Sequence, residues 1–208
     1  AALVDDLGWQ CVPVIGVSFG GMVAQELALR HPDRVSLMVL ACTSAGGAGG
    51  SSFPLHELED LPETQRVARH LEIADLRRDA AWQAQHPKRW SELLDMARQR
   101  QPVNRHDPGG LRQLEARAGH DTWVRLPGIG VPVLLAGGRF DGIAPARNME
   151  ALARQIPGAE LRFFNGGHLF LVQDKAAYPY IIQWVAGELE KMSGRGGPGA
   201  ELSRVKSD

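Results

Sequence analysis

Ser18 lies in Val12-Pro13-Val14-Ile15-Gly16-Val17-Ser18-Phe19-Gly20-Gly21, where an apolar, β-branched run passes straight into a helical pattern. A strand-to-helix turn that tight forces the serine into a strained backbone conformation, and glycine at the flanking positions lets neighbouring chain approach. The hydroxyl then stands at the strand's carboxyl end, facing a helix N-terminus. The dipole and free N–H groups there favour the negative charge that develops when a serine attacks a carbonyl. The chemistry this predicts is nucleophilic acyl transfer, with the backbone N–H of Phe19 as one donor to the oxyanion. Two other readings compete. A dinucleotide-binding turn needs glycine where Ser18 stands and an acid after the next strand, which ends in Ala41-Cys42-Thr43. A chance glycine-rich crossover is separated from a nucleophile only by the partners the serine finds.

A serine needs a base, and the base needs an orienting acid. Asp141 follows a third apolar run in Gly137-Gly138-Arg139-Phe140-Asp141-Gly142, and His168 follows a fourth in Asn165-Gly166-Gly167-His168. In a parallel sheet both sit at the same carboxyl edge as Ser18, where such sheets bind ligands. The reading is Ser18 as nucleophile, His168 as base and Asp141 as the acid that holds its tautomer. The remaining histidines fit less. His31, before Pro32, caps a helix end, and His56, His70, His86, His106 and His120 fall among charged residues without metal-ligand spacing. His106-Asp107 and His120-Asp121 are weak pairs, so neither a metal nor an organic cofactor is expected. The run Gly46-Gly47-Ala48-Gly49-Gly50-Ser51-Ser52 lacks the lysine of a phosphate loop and reads as a flexible hinge.

The elements that must position these residues are four strands read as buried on both faces: Val12 to Val17, Val35 to Ala41, Val131 to Ala136 and Glu160 to Phe164. Helical patterns follow over Ala1 to Leu7, Met22 to Arg30, Ala146 to Gln155 and Tyr180 to Met192. Alternating strand and helix predicts an α/β fold with a doubly wound parallel sheet. Residues 51–125 form an insertion with helices near Pro62 to Asp79, Lys88 to Arg100 and Gly109 to Ala118, read as a helical cap. The core is then residues 1–50 and 126–192, and the Gly-rich residues 193–208 read as a disordered tail. Phe53, Leu55, Trp82 and Leu169 are the candidate substrate-binding residues. Trp82 and Trp90, eight apart, fit helix-on-helix packing as well as a pocket wall.

Composition bounds the partners. The 208 residues suit one sizeable domain, with 44% hydrophobic and 23% charged side chains and a formal charge of -1. That balance excludes a basic nucleic-acid binder, and the insertion itself is neutral, with twelve basic and twelve acidic residues between His56 and Arg125. No apolar run reaches the ~18 residues of a membrane helix, and the first residues do not form a signal peptide. A cytoplasmic protein is expected, with Cys11 and Cys42 as reduced core thiols.

Gly16-Val17-Ser18-Phe19-Gly20-Gly21-Met22, continued by His31-Pro32-Asp33-Arg34-Val35, resembles the elbow, helix and next strand of the α/β-hydrolase superfamily. Val131-Pro132-Val133-Leu134-Leu135-Ala136-Gly137 with Asp141, then Ile156-Pro157-Gly158-Ala159 and Gly167-His168, resembles its acid and base segments. The likeness is to the capped members, which include esterases, enol-lactonases, carbon–carbon hydrolases and cofactor-free haloperoxidases. It implies hydrolysis of a small-molecule ester, lactone or related acyl substrate through an acyl-serine, with perhydrolysis as a variant. Serine in place of aspartate argues against dehalogenation, which needs a carboxylate nucleophile. Members carry several strands before the elbow and a glycine-containing loop that supplies a second oxyanion donor. By this resemblance the chain is a carboxyl-terminal portion lacking roughly the first third of the fold. The strand at Val12 would then have an open edge, prone to aggregate or to form a homo-oligomer. The alternative to an enzyme is a non-catalytic protein, either a truncated hydrolase-like product with no activity or a hydrolase-like ligand-binding module.

Overall fold

The computed structural model describes residues 1–99 and 108–195. Strands β1 (Val12–Val17), β2 (Val35–Ala41), β3 (Val133–Gly138) and β4 (Glu160–Phe164) form one parallel sheet in the order β1-β2-β3-β4. The described helices are α1 (Ala2–Asp6), α2 (Phe19–Arg30), α3 (Glu63–Ala74), α4 (Ala80–Gln85), α5 (Pro87–Gln99), α6 (Pro108–Ala118), α7 (Ala146–Gln155), α8 (Phe170–Gln173) and α9 (Ala177–Arg195).

The continuous apolarity of β2 and β3 has a direct cause: successive side chains point to opposite faces, and both faces are covered. Met38, Leu40, Val133 and Leu135 pack with Ala24 and Ala28 of α2 and Met149 and Leu152 of α7. Val39, Ala41, Leu134 and Ala136 pack on the other face with Phe164, Phe170 and Ile181. Helices on both faces make the sheet doubly wound. In register, Val17 lies beside Ala41 and Gly138 beside Phe164, so the chain leaves β1, β3 and β4 along one common edge. That edge is where Ser18, Asp141 and His168 emerge.

Several expectations are corrected. Only β2 and β3 are buried on both faces. β1 is an edge strand of the described sheet, and Ile15 and Val17 are 49% and 42% exposed because α9 covers β2 and β3 instead. The third strand runs from Val133 to Gly138, two residues later than its apolar run suggested. The helix predicted to reach Asp79 stops at Ala74, and Asp79 instead caps α4, its carboxylate accepting from the Trp82 N–H. Cys42 is buried, but Cys11 is exposed. α9 continues through residues 193–195 of the predicted tail; the rest of that tail, like Arg100 and the His106-Asp107 pair, lies outside the described residues.

The glycine-rich run after β2 is a packed turn where a flexible hinge was expected. A Cβ on Gly46 would stand 1.7 Å from the His120 carbonyl oxygen, and one on Gly49 2.4 Å from the Trp123 ring. These glycines are needed because residues 120–123 lie directly against them, and Gly46 forms an isolated bridge with Asp121. Thr122 closes the contact, its hydroxyl donating to Gln25 Oε1 at 2.6 Å and its N–H to the Ala45 carbonyl at 2.8 Å. Among the described residues no helix is long and apolar enough to cross a membrane.

Candidate active site

Ser18 joins β1 to α2 with φ 54° and ψ -118°, a positive φ that costs a non-glycine residue of order 1–3 kcal/mol. Its side chain makes no capping bond to α2, so the hydroxyl is free to turn outward. Phe19, as the first residue of the helix, keeps an N–H with no intrahelical acceptor. A Cβ on Gly16 would stand 2.5 Å from the Gly20 carbonyl oxygen, and one on Gly21 2.7 Å from Thr43. A Cβ on Gly20, by contrast, meets nothing within 4 Å. The expectation that every flanking glycine makes room is therefore corrected: Gly16 and Gly21 do so, and Gly20 contributes only its carbonyl. We expect Gly20→Ala to leave the melting temperature unchanged or slightly raised, alanine being better by about 0.5–1 kcal/mol in a helix. Gly16→Ala should cost about 1–3 kcal/mol, as an overpacked site does. Thermal denaturation of the two variants separates the cases, and equal losses would contradict this packing.

His168 Nε2 lies 2.9 Å from Ser18 Oγ, and its Nδ1 lies 2.8 Å from Asp141 Oδ2. Asp141 is 2% exposed, and its other oxygen accepts from the N–H groups of Ile143 and Ala144, each at 2.8 Å. Burial is tolerable for this carboxylate because its oxygens are met by three donors.

Helix α3 of the 51–125 insertion holds these loops in place, which the sequence did not reveal. The last carbonyls of α3 accept from the site's own backbone: Ile73 from Gly142 N–H at 2.9 Å and Ala74 from His168 N–H at 2.7 Å. Such close docking requires glycine, since a Cβ on Gly167 would stand 2.1 Å from the Ala74 carbonyl oxygen and one on Gly142 2.6 Å from that of Ile73. The carboxyl end of α3 thus lies directly against the backbone of His168. Behind it, buried Asp75 accepts from Arg77 at 2.7 and 2.8 Å and from Gln173 at 3.0 Å, while Gln173 Oε1 accepts from Gly167 N–H at 2.7 Å. Burial opposes the charge on Asp75, but hydrogen bonds from Arg77 and the nearby arginine charges outweigh it and hold the carboxyl below its usual range.

The predicted substrate-binding residues scatter. Leu169 borders a cavity of about 330 Å³ together with His168, His70, Leu93, Met96 and Ile143. Phe53 and Leu55 pack with Leu58, Ile73 and Ile143 in a small core beneath the cap, and Phe53 also lines a second cavity. Trp82 stacks on His86 at 4.8 Å and faces a separate groove with Arg77 and Arg89, away from His168. The residues missed, Leu93, Met96 and Ala97 on α5 at i, i+3, i+4 and His70, Leu71 and Ala74 on α3 at i, i+1, i+4, carry spacings that mark one face of a helix. Those spacings were the available signal.

Cys42, also at positive φ (40°), brings its sulfur within 4.8 Å of ligand atoms of Asp141 and His168. The donor set does not suit a metal: Asp141 and His168 are committed to each other, and burial, aided by the Asp141 charge, pushes the Cys42 thiol up to about 12.

The structure is a doubly wound α/β protein whose parallel sheet brings serine, histidine and aspartate into one hydrogen-bonded chain at its carboxyl edge. The chain belongs to the alpha/beta hydrolase fold family, which it matches over residues 1–175. It is similar to a poly(3-hydroxyalkanoate) depolymerase of Ectopseudomonas oleovorans, with 30% identity covering 92% of this chain and 66% of that protein. It is also similar to the 2-hydroxymuconate semialdehyde hydrolase of Pseudomonas putida, with 28% identity covering 91% and 67%. The chain thus spans about two thirds of the length of these relatives. In fold it resembles the enol-lactonase of Burkholderia xenovorans LB400, with a TM-score of 0.64 and 22% identity over 90% of this chain and 69% of that one.

Proposed function

We propose that this chain carries the catalytic machinery of a serine hydrolase acting on an ester, a lactone or a related acyl substrate. The observation that supports it above the rest is His168, whose ring reaches Ser18 Oγ on one side and Asp141 on the other at 2.9 and 2.8 Å. In this reading His168 Nε2 takes the hydroxyl proton as Ser18 Oγ attacks the carbonyl carbon, and Asp141 holds the proton on Nδ1 and stabilises the imidazolium. The oxyanion accepts from Phe19 N–H. When the C–O bond breaks, His168 returns its proton to the leaving alkoxide. Water then gives a proton to His168 and attacks the acyl carbon, and the acid departs as Ser18 recovers its hydrogen.

Residues 51–125 serve as the cap in this proposal. The cavity beside His168 is lined mostly by aliphatic side chains, which suits an apolar portion of the substrate. Relatives named as a depolymerase and a semialdehyde hydrolase are consistent with hydrolysis and do not select the acyl group. The test is labelling with a fluorophosphonate, followed by mass spectrometry of the adduct. A single adduct on Ser18 is expected; folded protein left unmodified would make the chain a ligand-binding module.

A further inference from the structure

A second cavity, of about 200 Å³, opens between residues 44–54 and the carboxyl end of α6. Its polar lining is cationic or neutral: Arg117, His56 and His120 with the hydroxyl residues Ser44, Ser51 and Ser52, and no aspartate or glutamate borders it. Arg117 stands apart from the other cap arginines. Arg69, Arg77, Arg89, Arg98 and Arg125 each hold a carboxylate oxygen within 3.3 Å. Arg117 has only the Phe53 carbonyl, to which Nη1 donates at 2.8 Å, and its buried Nη2 finds no acceptor among the described residues. His120 Nε2 is likewise buried without a partner.

A guanidinium keeps its charge at any physiological pH, so a charge withdrawn from water here needs an anionic partner. Burial disfavours the Arg117 charge, and the Asp141 carboxylate offsets only part of that cost. Met22, one turn along α2 from Ser18, also borders this cavity.

We propose that this cavity is a carboxylate-binding subsite with Arg117 as its cation, so that the ester or lactone attacked by Ser18 bears a carboxylate. This rests on the serine-hydrolase reading above. A carboxylate matches the planar guanidinium fork, and the Phe53 carbonyl fixes that fork in advance, leaving one edge to donate. His120 adds a donor in the tautomer with its proton on Nε2. A volume of about 200 Å³ equals roughly seven waters at ~30 Å³ each, room for the carboxylate and a short stem.

The test uses Ser18→Ala protein, which separates binding from turnover, and two esters of equal acyl length, monoethyl adipate and ethyl hexanoate. By NMR titration, monoethyl adipate should bind at least about 10-fold more tightly, as a charge-assisted pair allows. Adding Arg117→Gln should abolish that preference while leaving ethyl hexanoate within about 2-fold. Should that variant fail to fold, the preference of the Ser18→Ala protein itself must shrink as salt rises from low to molar concentration, since screening weakens a charge pair that solvent can reach. Equal binding of the two esters, a loss common to both on Arg117→Gln, or a preference indifferent to salt each overturns the proposal. Absence of turnover of either ester by the unsubstituted chain counts against the hydrolase reading alone, because the binding comparison does not need it.

Discussion

Ser18→Ala is expected to lower ester hydrolysis by about 10⁴–10⁶ while leaving the fold intact. The rate falls because no other nucleophile reaches the position of Oγ: the thiol of Cys42 is buried and held protonated, at about 12. The fold survives because the Ser18 side chain makes no capping bond, and its one polar contact is to His168. Ser18→Gly sharpens the result. At φ 54° a Cβ is disfavoured, so glycine relieves about 1–2 kcal/mol of strain, partly offset by its greater freedom when unfolded. The glycine variant should therefore be inactive yet melt no lower than the alanine one. Steady-state rates on a chromogenic ester and calorimetry of the three proteins decide this. An alanine variant keeping more than about 1% of the rate would remove Ser18 from the mechanism.

Asp141→Asn should cost about 10⁴ in kcat, although only one atom changes. The asparagine carbonyl can keep the two bonds from Ile143 and Ala144 N–H, which fix its orientation. Its amide then points N–H donors at His168 Nδ1, where the carboxylate accepted at 2.8 Å. The ring must shift its proton to Nε2 and becomes a donor to Ser18, unable to take the hydroxyl hydrogen. Stability should fall by only about 1–3 kcal/mol, the scale of disturbing one buried charged hydrogen bond. Nitrogen-15 NMR of the imidazole reads the tautomer directly, and the rate is measured in parallel. A variant that keeps Nδ1 protonated and loses activity would place the role of Asp141 elsewhere.

Ser18, Asp141 and His168 were legible early because each lies at or a few residues past the end of a strand, and a strand declares itself by apolar, β-branched composition. Parallel strands share an edge, so Ser18, Asp141 and His168 had to converge, and the turns that carry them are short. Cap residues were read far less well. Trp82 was chosen for its size and stacks on His86 outside the apolar cavity, whereas Leu93 and Met96 line that cavity. Phe53 and Leu55 went chiefly to a small core with Ile73 and Ile143, because apolar side chains near a site are equally welcome in the packing beneath it.

By itself, the sequence determined the approximate strands and the parallel α/β class, because local composition and the alternation of strand and helix signal both. Tertiary structure decided the rest. Gly142 and Gly167 serve to admit the Ile73 and Ala74 carbonyls, and Gly46 to admit that of His120. Arg117 differs from Arg69, Arg77, Arg89, Arg98 and Arg125 in forming no ion pair with a carboxylate among the described residues. Those are contacts between segments far apart in the chain, and a backbone carbonyl, which every residue carries, leaves no mark in residue type until the fold brings it against a particular glycine.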